Sequence, residues 1–170
     1  MEEIKENTIE DKAENSEKKT RGEIAEEYFL QGYNCTQSVF LAFADIYGFD
    51  KETAAKISAS FGGGMGRMRE VCGTVSGMFL VAGMETGATE GKDAEGKQRN
   101  YAMVQKLAAK FKERNGSIIC RELLGLGADG KPVDTTITKP EERNEQYYKK
   151  RPCKNLVRMA AEIAAEEFGY

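Results

Sequence analysis

Four cysteines, Cys35, Cys72, Cys120 and Cys153, are the residues of this sequence best suited to chemistry. They stand 37, 48 and 33 residues apart, and no Cys-x-x-Cys occurs. The thioredoxin-type motif and the usual zinc-knuckle spacing are therefore missing, and a shared site has to be assembled by folding from four distant segments. Two chemistries suit four thiols gathered in this way. One is an iron–sulfur cluster or another four-thiolate metal site, with all four cysteines as ligands. The other is dithiol–disulfide exchange, in which a cysteine of low pKa attacks and a second one resolves.

The elements that must position these thiols share a local grammar. Cys35 follows Asn34, a good helix N-cap; Cys72 comes just after a glycine-rich run; Cys120 lies three residues beyond Ser117; Cys153 follows Pro152, which suits a first helical turn. Each cysteine thus falls in or near the first turn of a predicted helix and opens its apolar stripe, as in Cys153, Leu156, Val157, Ala160 and Ile163. A thiol in this position points toward the other helices and feels the positive end of the helix dipole, which favours the thiolate. Basic residues stand near three of the four: Arg67 and Arg69 before Cys72, Arg121 after Cys120, and Arg151 and Lys154 around Cys153.

Periodicity gives an all-α chain, a compact bundle of about six to eight helices. The predicted helices include a stripe over Ile24, Tyr28 and Phe29, a helix from Asn34 through Ile46 stopped by Gly48, and one over Lys51–Ser60. Further helices are predicted from Glu70 to Gly83, from Lys97 to Arg114 with Tyr101, Val104, Leu107, Ala108 and Phe111 inward, from Ser117 as a short turn, over Glu141–Lys150, and from Pro152 to Phe168. The segment Gly125–Pro140 reads as a long loop, either functional or mobile. Residues 1–20 carry 11 charges of both signs and read as a flexible, frayed tail ahead of a four-cysteine helical domain at 21–170.

Composition narrows the function. Histidine is absent, which removes His-based triads, mixed cysteine–histidine zinc sites and c-type haem attachment. A net charge of -3 gives no electrostatic reason to seek nucleic acid or anionic lipid. Met1–Thr20 holds no apolar stretch fit for a signal peptide and no apolar run is long enough to span a bilayer, so a cytoplasmic location is expected, where thiols are kept reduced.

Taken together, the segments Gly32-Tyr33-Asn34-Cys35-Thr36-Gln37-Ser38-Val39, Phe61-Gly62-Gly63-Gly64-Met65-Gly66-Arg67, Val71-Cys72-Gly73-Thr74-Val75-Ser76-Gly77, Cys120-Arg121-Glu122-Leu123-Leu124-Gly125 and Arg151-Pro152-Cys153 carry a resemblance. From Ile24 to Phe168 the chain resembles the C-GCAxxG-C-C family of small proteins, to which redox activity is ascribed. It departs from the family label around the second cysteine, where Val71 precedes Cys72 and Gly73-Thr74 follow it. Gly73 and Gly77, at i and i+4, form a flat helix face that another helix can approach closely. The resemblance implies a redox or cluster role for the four cysteines, as oxidoreductase or electron carrier, with an unidentified redox partner; a homodimer is a further expectation.

The glycine-rich run offers a second site. Gly63, Gly64, Gly66, Arg67 and Gly73 are candidate cofactor-binding residues, able to turn backbone N–H groups toward an anion, a cluster or a thiolate at Cys72. No Gly-Lys-Ser/Thr follows, so this is not a Walker loop. The competing reading makes the run a tight interhelical turn. For the whole chain the competing function is a non-enzymatic binding or assembly module with structural cysteines, a reading that requires the sulfurs to sit in separate parts of the core.

Overall fold

The computed structural model describes residues 18–170, and most of the predicted tail lies outside them. Eight α-helices follow in chain order: α1 (Arg21–Leu30), α2 (Cys35–Leu41), α3 (Lys51–Ser58), α4 (Gly73–Thr86), α5 (Ala94–Asn115), α6 (Cys120–Leu123), α7 (Glu145–Lys150) and α8 (Cys153–Phe168). A 3-10 turn at Ala59–Phe61 extends α3. The expected all-α bundle is found, with no strand among the described residues.

Side chains start several of these helices. Thr20 accepts from the Glu23 amide and the Glu23 carboxylate accepts in return, a capping box for α1. The Asn34 side chain accepts from the Gln37 amide at 2.9 Å, and Gln37 accepts from the Asn34 amide at 3.0 Å, starting α2. Asn34 also donates to the carbonyl of Ala59 at 2.9 Å, fixing the start of α2 against the end of α3.

The core is organised around α8, which packs on α1, α2, α4 and α5. Its Leu156, Val157, Ala160, Ala161, Ile163 and Ala164 are buried. Ala25 and Phe29 of α1 are fully buried, while Glu26 pairs with Arg158 and Lys154 at the rim. Val75, Met78, Val81 and Ala82 of α4 and Leu107 and Phe111 of α5 complete the interior.

Several boundaries differ from the sequence reading. Regular α2 stops at Leu41, and the chain goes on to Gly48 in tighter i to i−3 turns. All of Val39–Ala44 is buried, so this stretch is surrounded on every side instead of presenting one stripe. Helix α4 begins at Gly73 because residues 69–72 are drawn into an antiparallel pairing with 118–121, centred on a bridge between Val71 and Ile119. Helix α5 starts earlier than expected, where Asp93 accepts from the Gly96 amide at 2.7 Å. Tyr101, expected inward, is 61% exposed: its neighbour Asn100 donates to Thr86 and Ala82 of α4, and one residue of helix rotation turns Tyr101 outward. Helix α7 begins at Glu145, capped by Asn144.

The glycine face of α4 is where the sequence said it would be. A Cβ on Gly77 would lie 2.7 Å from Val39 Cβ and 3.0 Å from the Thr36 carbonyl, and one on Gly73 would lie 2.8 Å from Thr36 Oγ1 and 3.1 Å from Cys35 Cβ. Gly77→Ala should destabilise the fold by about 1–3 kcal/mol through overpacking. Gly83, in the same helix with nothing within 4 Å of its Cβ direction, is the control: Gly83→Ala should be neutral or stabilise by roughly 0.5–1 kcal/mol. Urea denaturation of the two variants checks the pair; equal losses would show that α4 does not depend on close approach to α2.

Candidate functional site

Each cysteine sits at a helix start. Cys35, Cys120 and Cys153 are the first residues of α2, α6 and α8, and Cys72 is the N-cap of α4. Cys72, Cys120 and Cys153 are 5%, 6% and 7% exposed, Cys35 is half-buried, and all four are free thiols. All four line one cavity of about 270 Å³. The separation into different parts of the core that a purely structural role required is not observed.

Two devices bring these segments together. The first is the glycine face, which lets Cys35 and the start of α4 meet. The second is the backbone pairing: the Cys72 amide donates to the Ile118 carbonyl at 2.8 Å, the Cys120 amide to Glu70 at 2.6 Å and the Arg121 amide to Arg69 at 3.2 Å. With Val71 opposite Ile119, alternation puts Cys72 and Cys120 on the same side of the pairing. The glycine run supplies the remaining turn. φ is positive at Gly63, Gly64, Met65, Gly66 and Arg67, and again at Arg69. The non-glycine members carry a left-handed penalty of about 1 kcal/mol or more each. Gly64 also has no room for a side chain, since its Cβ would stand 2.6 Å from that of Cys120.

The candidate cofactor residues therefore divide. Gly63, Gly66, Arg67 and Gly73 line the cavity, whereas Gly64 packs behind Cys120. The amides of Met65, Arg67, Arg69 and Glu70 donate to carbonyls of Phe61, Gly62, Gly63 and Gly64, so the run works as a tight turn and these N–H groups are taken. It also delivers to the cavity the side chains of Arg67 and Arg69. Arg121 and Lys154, by contrast, turn to Glu70 and Glu26.

The thiols are electrostatically unequal. A hydrogen bond from the Cys35 thiol lowers Cys153 to about 7, against the effect of burial and with help from Arg151 and Arg143. Cys35 is raised by the same contact, since its proton is held toward Cys153, and by burial. Burial pushes Cys72 up to about 11 although its sulfur lies 3.2 Å from Thr74 Oγ1. Burial also raises Cys120, opposed by Arg69, whose Nη1 donates to Cys120 Sγ at 3.9 Å. The cavity thus holds one cysteine shifted toward the thiolate, Cys153, and three shifted toward the neutral thiol.

Over residues 33–167 the chain matches the model of a family described as "Putative redox-active protein (C_GCAxxG_C_C)". The chain belongs to that family. Searches of curated proteins and of solved structures return no match. The four cysteines around which the resemblance was built are the four that this family member brings to one cavity. As a donor set, four thiols suit a soft metal or cluster; among the described residues, however, no three His, Cys, Asp or Glu side chains are grouped as an ion would need. No helix among the described residues is long and apolar enough to cross a membrane.

Some residues of the site carry no signal in the sequence. Arg143 and Glu141 come from the long segment between α6 and α7, which lines the cavity through Thr138, Pro140 and Glu141 and accepts a hydrogen bond from Arg67 Nε at the Ile137 carbonyl, 3.0 Å away. Arg151, named in the sequence as a basic neighbour of Cys153, lines the cavity with its guanidinium 4.9 Å from the Tyr147 ring centroid.

The difference between thiols is measurable. Alkylation of the reduced protein, followed residue by residue by mass spectrometry, should show Cys153 reacting first, with a rate that rises through an apparent midpoint near 7 and belongs to the Cys35–Cys153 pair. Arg151→Gln should move that midpoint upward by removing a cation that favours the thiolate. A uniform midpoint for all four cysteines would show that the cavity does not distinguish them.

Proposed function

We propose that this family member is a dithiol–disulfide oxidoreductase in which Cys153 attacks and Cys35 resolves. What carries this reading is the cavity that Cys35 and Cys153 share with Arg143 and Arg151, in which the two thiols shift each other in opposite directions, Cys153 lowered and Cys35 raised. A thiolate of pKa near the ambient pH is close to the optimum for exchange, since a lower value would sacrifice nucleophilicity. Its half-buried neighbour is placed to intercept the mixed disulfide.

The Cys153 thiolate attacks one sulfur of a substrate disulfide, forming a mixed disulfide and releasing the other sulfur as a thiolate. Cys35 loses its proton and attacks Cys153 Sγ, forming the Cys35–Cys153 bond and releasing the second substrate thiolate. Two protein thiols are oxidised and one disulfide is reduced to two thiols; the protein runs in reverse when its own bond is the oxidant. Arg143 and Arg151 stabilise negative sulfur throughout, and the start of the long helix α8 adds the positive end of its dipole at Cys153. Cys72 and Cys120, joined through the backbone pairing, are a second dithiol that can relay oxidation away from the first. The chemistry fits a compartment that keeps thiols reduced, the cytoplasm.

Reduced protein treated with 2-hydroxyethyl disulfide should form a Cys35–Cys153 bond, located by peptide mapping. Cys35→Ser should stop at a mixed disulfide on Cys153, and Cys153→Ser should lose most of the reactivity at neutral pH. Protein isolated without oxygen that carries stoichiometric iron or zinc on its thiolates would overturn the exchange mechanism in favour of a metal centre. So would a first bond between Cys72 and Cys120.

A further inference from the structure

The charge around the cavity is out of balance. Arg67, Arg69, Arg143 and Arg151 line it, and Glu141 is the one carboxylate among the lining residues. A single oxygen of that carboxylate, Oε1, is shared three ways: hydrogen-bonded to Arg151 Nη2, 3.8 Å from Arg69 Nη2 and 3.9 Å from Arg67 Nη2. The last two separations are too long for hydrogen bonds, so neither arginine makes the two-pronged contact that guanidinium and carboxylate favour. Arg69 is nevertheless 7% exposed. A buried cation held by such distant partners is costly.

Arg143 makes the shortage plainer. Its guanidinium lies 4.5 Å from the Phe29 ring centroid and 4.7 Å from that of Tyr147, which fixes its plane. Nη2 donates to the Tyr33 carbonyl at 3.3 Å. Nη1 is shielded from solvent and has no acceptor. A buried donor on a cation without an acceptor is among the more unfavourable features a fold can carry, and an anion in the cavity offsets the charge of this guanidinium although Nη1 itself does not open onto it. The lining also includes the apolar side chains of Leu123, Leu124 and Leu156. With a volume of about 270 Å³, the space lies at the lower end of ordinary ligand pockets and suits a small molecule. Cys153 is 7% exposed, so a disulfide buried within a protein surface does not reach it, whereas a small molecule does.

We propose that the cavity takes a small organic disulfide bearing a carboxylate, with the carboxylate held by Arg143 and Arg67 and the disulfide directed at Cys153. The chemistry is that of the exchange reading, on which this inference rests; what it adds is the substrate class and the residues that select it. Glu141 acts as a built-in carboxylate in the same cluster, and the incoming anion competes with it for Arg67, Arg69 and Arg151.

The test uses three small disulfides that differ in charge: 3,3′-dithiodipropionate, 2-hydroxyethyl disulfide and cystamine. With full-length reduced protein, the anionic compound should react about tenfold or more faster than the neutral one, the cationic one slowest, and the spread should shrink with added salt. Arg67→Gln and Arg143→Gln should each lower the ratio of anionic to neutral rates by about threefold or more, with circular dichroism confirming the fold. Binding is read separately with glutarate, a carboxylate that cannot exchange, by calorimetry on Cys153→Ser. Glutarate should bind, and Arg143→Gln should weaken it by about tenfold. Equal rates for the three disulfides with no glutarate binding would overturn the anion site and leave exchange standing. Glutarate binding without reaction of any disulfide would uphold the anion site and overturn exchange.

Discussion

How closely α4 approaches α2 is decided by what α4 lacks. With hydrogen in place of a side chain at Gly73 and Gly77, the helix comes near enough for Thr36, Val39 and Cys35 to occupy the space where side-chain carbons would otherwise stand. The other features of the site depend on that distance. It fixes where Cys35 lies relative to the start of α4, and α8, packed on both helices, then brings Cys153 to Cys35. Cys72 and Cys120 need a different device, because α6 is too short to be positioned by its own packing face. They are drawn together through main-chain hydrogen bonds on either side of the Val71–Ile119 bridge, which leave little freedom of register.

Within the cavity, position becomes chemistry through a contest between burial and charge. All four sulfurs are taken largely out of water, and burial alone would keep every one of them protonated. Only Cys153 escapes, because a neighbouring thiol and two guanidinium groups together outweigh its desolvation. Cys120 has one guanidinium at longer range and Cys72 has a hydroxyl, and neither overcomes burial. Four residues of one type, all at helix starts, therefore come to differ in how readily they ionise through their neighbours and not through their helices. The dipole argument read from the sequence applies to every one of them and so does not discriminate.

Much of the frame was legible beforehand, and the parts that were not have physical reasons. Asn34 as a cap, the flat face of Gly73 and Gly77, and the inward stripe of α8 are local signals that the surrounding fold leaves intact. The helix start at Glu70 was overridden by tertiary pairing: Val71, Ile118 and Ile119 are β-branched residues that suit an extended partner, but two short segments so far apart give no hint of each other. Tyr101 was misplaced because a stripe drawn through apolar residues ignores a polar side chain, Asn100, that packs inward by bonding across helices. The convergence of the cysteines could be inferred from their shared setting. Arg143 and Glu141 could not, since they come from a segment without periodicity and reach the sulfurs only through the finished fold.

The wall that carries Arg67 and Arg69 has a consequence for how the molecule reaches its shape. Five successive residues, Gly63 to Arg67, have positive φ, and Arg69 follows them, a geometry opposed by the intrinsic preferences of L-residues. Such a segment does not nucleate on its own. Local backbone bonds from Met65, Arg67, Arg69 and Glu70 close the bend, and the pairing of residues 69–72 with 118–121 ties its far end to a distant part of the chain, so the setting of the arginine wall depends on contacts outside the segment. An excised peptide spanning these residues would hold neither the bend nor the orientation of its two guanidinium groups, and the native positive wall is a property of the assembled chain alone.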